Sequence, residues 1–94
     1  MDVQTILIIV KARLGISTEV RDEYLKAIIS GILQELTEVN GIQLKSDSLY
    51  QKMFVADFAV WRYQSRDEAG GMPRHLQARL HNLIISDGGG KNDV

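Results

Sequence analysis

Apolar residues recur at helical spacing through most of the chain, and the pattern predicts four helices. The first begins after Asp2, a good N-cap, and ends at Leu14 with Gly15 beyond it. Val3, Leu7, Val10 and Leu14 share one face, while Ile8 and Ile9 fall off it. This helix is therefore apolar on more than one side, which places it centrally or partly under another chain. The second begins near Ser17 or Thr18, either able to cap, and runs to about Val39, where Asn40-Gly41 makes a common stop. Its expected core stripe is Val20, Tyr24, Leu25, Ile28, Ile32, Leu36 and Val39, widened by Ile29 and Leu33. Asp22 and Glu23 sit early enough to favour the helix dipole, and Gly31 lies mid-helix at a cost of about 1 kcal/mol relative to alanine.

A short connector over 42–46 leads to a third helix at about 48–64, with Ser46 or Asp47 as the expected cap. Leu49, Met53, Ala56 and Val60 form one face of it, and Phe54, Phe58 and Trp61 extend that face sideways. An apolar arc so wide predicts the central helix of the fold. The glycine-paired stretch 65–72 reads as a loop, after which Pro73 opens a fourth helix to about Ile85, with Leu76, Leu80, Leu83 and Ile84 on one side. The expectation is an all-α fold: a single compact bundle of about four helices over residues 1–86, followed by a glycine-rich tail, 87–94, that is disordered in isolation.

Composition narrows the function more than the fold. At 94 residues there is room for one core only. Eleven basic against twelve acidic residues leave a net charge of −1, without the basic excess of a protein that grips nucleic acid by its phosphates. The absence of cysteine removes disulfides, thiolate nucleophiles and cysteine-based zinc sites, and fits synthesis in a reducing cytoplasm. The apolar run 3–10 is far short of the roughly 20 residues of a membrane span. Lys11 and Arg13 follow it where a signal peptide would have small residues, so the start of the chain is expected to be part of the fold and no membrane contact is expected.

Candidate chemistry is sparse. His75 and His81, the only two histidines, are six residues apart and point away from each other on a helix, against the i, i+3 or i+4 spacing of metal-binding pairs. No metal site and no cofactor is expected. Gly88-Gly89-Gly90 follows a helix instead of leading into one, the wrong order for a phosphate cradle. With no nucleophile–base pair in view, the chain is not expected to be an enzyme, except as a subunit completing another protein's active site. Asp57 alone breaks the pattern: it falls inside the apolar arc of the third helix, where an unpaired carboxylate is costly, and Lys11 and Arg79 are its expected ion-pair partners. Arg62, Arg66, Arg74, His75 and Arg79 form a mild basic cluster. The plain reading of that cluster is a solvated face, and the functional one a patch that meets an acidic protein surface or DNA passing close by. Asp22, Glu23, Glu35 and Glu38 give the second helix the opposite sign, so opposite patches could also meet between copies of the chain. Ile8, Ile9, Ile29 and Leu33 are apolar surplus, expected either at such an interface or in a two-sided central packing of the first two helices.

The string FVADFAVWRYQSRDEAGGMPRHLQARLHNL resembles the second half of the head–tail connector (head-completion) adaptor proteins of tailed bacteriophages. Those proteins commonly show a helix of the form D-x-A-V-x-R-Y, matched here by Asp57, Ala59, Val60, Arg62 and Tyr63, then a loop and a proline-started helix. Lys11, Leu14, Gly15 and Ile16 match the end of their short opening helix, and the likeness covers about residues 3–85. It implies a virion protein at the head–tail interface, made in the bacterial host cytoplasm, that assembles as a ring of its own copies under the portal protein. Such a ring extends the DNA channel, with DNA passing nearby and not read in sequence, and offers a docking surface to the next neck or tail protein. The loop over 65–72 is shorter than in many such proteins, and the tail after Ser86 matches none of their motifs. The alternative expectation is a small helical regulatory or DNA-associated protein using its fourth helix, which strongly salt-dependent duplex binding would reveal.

Overall fold

The structure, a computed structural model, describes residues 1–66 and 70–87. It holds four helices and, among the described residues, no strand: α1 (Val3–Leu14), α2 (Asp22–Glu38), α3 (Leu49–Gln64) and α4 (Arg74–Asp87). The expected disorder of the tail falls almost wholly on residues outside those described.

Each helix end has a local cause. Asp2 caps α1 by accepting from Gln4 N at 3.2 Å, and the Thr5 hydroxyl donates to its other oxygen at 2.8 Å. Gly15, at φ 72°, takes the left-handed conformation that closes α1, and its neighbour Ile16 N donates to Lys11 O at 3.0 Å. Gly41, at φ 70°, turns the chain out of α2, and Ile42 N returns to Leu36 O at 2.9 Å. Ile42, buried, follows that turn straight into the core.

Two expected starts move. α2 begins at Asp22, not near Ser17 or Thr18, and Arg21 precedes it without a side-chain cap bond. Residues 17–21 bend and turn instead, so Val20 stands 87% exposed where the stripe would have buried it. α3 is capped by Ser48, whose hydroxyl accepts from Gln51 N at 3.2 Å, and not by Ser46 or Asp47. α4 opens one residue past Pro73, whose carbonyl accepts from Leu76 N and Gln77 N.

α3 is the hub. It packs against α1, α2 and α4; α1 and α2 also pack on each other, while α4 approaches α3 alone. This arrangement explains why α3 is buried on more than one side, with Phe54, Val55, Ala56, Phe58, Ala59 and Val60 all in the core. Leu49, expected on its inner face, is 68% exposed, while Gln51 in the same turn is buried. The inner row of α2 is Leu25, Ile29, Ile32 and Leu36, spaced four, three and four, which rotates the expected stripe by part of a turn. Tyr24 and Val39 are exposed as a consequence. Ile29, expected at an interface with another copy, is therefore part of the core, and Leu33 and Ile9 are partly buried against it.

Gln51 is the one buried polar side chain among the described residues. Its Oε1 accepts from Lys45 N at 2.7 Å and its Nε2 donates to Gln43 O at 3.1 Å, so it fastens the connector 42–46 to the first turn of α3. The amide thus meets the backbone groups of a segment that has no ladder of its own, as buried polar groups require.

Candidate functional site

Asp57 and the groups gathered on it form a site that joins three elements, α1, α3 and α4. It sits halfway along α3 on a row with Tyr50, Phe54 and Trp61, spaced four, three and four, that faces α4 and the end of α1. Arg79 Nη1, from α4, donates to Asp57 Oδ2 at 2.7 Å. Arg13, from the last turn of α1, donates to Asp57 Oδ1. The Arg79 guanidinium also lies 5.4 Å from the Phe54 ring centre and 5.9 Å from that of Tyr50, within cation–π range. Burial pushes the Asp57 carboxyl upward, but the hydrogen bonds from Arg79 and Arg13 outweigh it and hold the group below the usual aspartate range.

Lys11, the other expected partner, is elsewhere. Its Nζ lies 2.7 Å from Asp22 Oδ1, joining α1 to the first turn of α2. The sequence pattern misassigns the α1 cation because Arg13 lies off the Leu7–Val10–Leu14 stripe, and only its long side chain reaches round to Asp57. A lysine on the stripe's edge finds a nearer carboxylate.

Beside the triad is an open cleft of about 280 Å³ between α1, α3 and the start of α4. It is lined by Arg13, Asp57 and Arg79, by the apolar Val60, Trp61, Pro73 and Leu76, and by Gln64 and His75. Neither the cleft nor the role of Arg13 was legible as a site from periodicity alone, although the Tyr50–Phe54–Asp57–Trp61 row is a signal that a sequence carries.

The expected basic cluster is divided. Arg62 turns to the opposite side of α3, where its Nη2 lies 3.5 Å from Glu35 Oε1 of α2 and its guanidinium stands 4.8 Å from the Phe58 ring centre. Arg66 lies over the Tyr63 ring at 4.3 Å and donates to the Tyr63 carbonyl. Arg21, which also donates to the Tyr63 hydroxyl, lies 5.8 Å from the same ring. Arg74 and His75 are exposed at the start of α4. Much of the acidic helix is likewise answered within the chain: Asp22 by Lys11, Glu23 by Lys26 at 3.5 Å, and Glu35 by Arg62. Of the four apolar residues expected at an interface, Ile8 alone is well exposed, at 61%.

Among the described residues no group of three or more histidines, cysteines or carboxylates is placed to hold a metal ion. No helix there is long and apolar enough to cross a membrane. Comparison of the chain with family models, with curated proteins and with solved structures returned no match.

Proposed function

We propose that this chain is a structural head–tail connector subunit of a tailed-phage virion. In this reading it assembles as a ring under the portal, extends the DNA channel and offers a surface to the next neck or tail protein. The observation that carries the proposal is the string Asp57, Ala59, Val60, Arg62 and Tyr63 followed by a helix that opens directly after Pro73. Those residues organise the fold. Asp57 ties α1 and α4 to α3, Ala59, Val60 and Tyr63 are buried, and Arg62 pairs with α2. The resemblance therefore falls on side chains that take part in how the helices pack. An all-helical fold and a cleft without a nucleophile–base pair are compatible with an adaptor that works by contact.

The test is electron microscopy of lysates from the replicon that encodes the chain, with its gene deleted. Filled or leaking heads beside unattached tails are the expected result, restored to whole virions by the gene in trans. Normal, infectious particles from the deletion would overturn the proposal.

A further inference from the structure

The cleft beside Asp57 holds more cation than its own carboxylate consumes. Two guanidiniums share a single acid, so the trio keeps one net positive charge, and His75, exposed, lines the same cleft. A guanidinium has five N–H groups. Arg13 and Arg79 each direct one nitrogen at Asp57, and donors remain on both forks for another acceptor. Trp61, Pro73 and Leu76 give the same cleft an apolar lining.

Size and surroundings decide what kind of ligand this is. A volume of about 280 Å³ falls just under the roughly 300–1,000 Å³ of pockets that enclose a whole small molecule. It suits an anchoring side chain. Arg79 joins the cleft to aromatic side chains outside it, and aromatic and arginine side chains are the kinds that carry binding energy between proteins. Tyr50 is about half exposed beside the Arg79 guanidinium, and Leu49 next to it is exposed.

We propose that this cleft anchors a glutamate or aspartate side chain of a different protein, whose flanking apolar residues pack on Trp61 and Tyr50. The carboxylate receives charge-assisted hydrogen bonds from the free donors of Arg13 and Arg79, and Asp57 keeps both forks in place for it. This does not rest on the connector reading. A normal deletion phenotype would leave the cleft's chemistry intact, and failed binding would leave the connector reading intact.

Trp61 is the only tryptophan in the chain and lines the cleft, so its emission reports occupancy directly. The experiment titrates the full chain with an end-capped Ser-Leu-Glu-Leu-Ser peptide and with its glutamine counterpart. A saturable change is expected, with the glutamate peptide bound about tenfold more tightly, the size of one charge-assisted hydrogen bond. Arg13→Gln and His75→Glu should each weaken it several-fold. The second variant places a carboxylate in the first turn of α4, where the dipole favours it, so helix content by circular dichroism is expected to match that of the wild type. Equal binding of the two peptides, or no response from Trp61, would overturn the proposal. So would inorganic phosphate acting as well as the peptide, which would make this a small-anion site. A Trp61 signal that changes with protein concentration alone, and is abolished by His75→Glu, would also overturn it by making a second copy the occupant.

Discussion

At the scale of single residues, Asp57 does the work of a clamp. One carboxylate holds an arginine from α1 and another from α4, and neither of those helices packs on the other. Asp57→Asn would leave two guanidiniums, one half-exposed and one mostly buried, without their counter-ion. The expected loss is about 1–2 kcal/mol at neutral pH, between the values of exposed and buried pairs. The pH dependence has a definite sign. The Asp57 carboxyl is held below its ordinary value in the folded protein, so its contribution is fully present above the unfolded value of about 3.9 and is lost as pH falls through the folded value. Urea melts of wild type and Asp57→Asn should therefore differ at pH 7 and converge in strong acid. A difference that persists unchanged to pH 2 would show that the variant acts through packing instead.

Helix-scale behaviour is set mostly by the ends and by two glycines in opposite situations. Gly15 has a positive φ and closes α1, a conformation that costs a residue with a Cβ about 1 kcal/mol. Gly31 lies in the middle of α2 with ordinary helical geometry, and a Cβ added there would meet nothing within 4 Å. Gly15→Ala should lower the unfolding free energy by about 1 kcal/mol, and Gly31→Ala should raise it by about 0.5–1 kcal/mol through helix propensity alone. Thermal and chemical melts of the two variants would show shifts of opposite direction. A close helix crossing at Gly31, the other explanation its position invites, is absent from the fold of the single chain. Much of this scale is visible in the sequence, since capping and termination depend on residues within a turn of one another. The exceptions are instructive. Ser17 and Thr18 have the right chemistry for a cap, yet α2 starts four or five residues later, because that is where Lys11 meets Asp22 and the Arg21 side chain reaches Tyr63.

On the scale of the whole molecule, all four helices contribute to one core, but α4 reaches it through α3 alone. α1, α2 and α3 pack mutually, whereas α4 holds to α3 through Leu76, Leu80, Leu83 and Ile84 and to the α1 side through the Arg79–Asp57–Arg13 bridge. Local opening of α4 consequently exposes less apolar surface than opening of any other helix. Amide hydrogen exchange should find α4 less protected than α3, and Asp57→Asn should widen that gap while leaving α2 little changed. Uniform protection over all four helices would mean that α4 unfolds only with the rest.

The sequence by itself determined the number and order of the helices, the hub position of α3, the closing roles of Gly15 and Gly41, and the need of Asp57 for a cationic partner. These depend on periodicity, on turn chemistry and on the cost of a bare charge in an apolar arc, all of which are properties of short stretches. Arg79 was within reach of the same argument. Only the tertiary structure decided which cation of α1 reaches Asp57, that Ile29 is core and Val20 is not, that Arg62 and Arg79 part to opposite sides of α3, and that Gln51 fastens the connector. Those outcomes turn on the angle and rotation at which one helix meets another. A rotation of part of a turn leaves the one-dimensional pattern unchanged while exchanging a buried residue for an exposed one, and the cleft at Trp61 exists only where three separate segments converge.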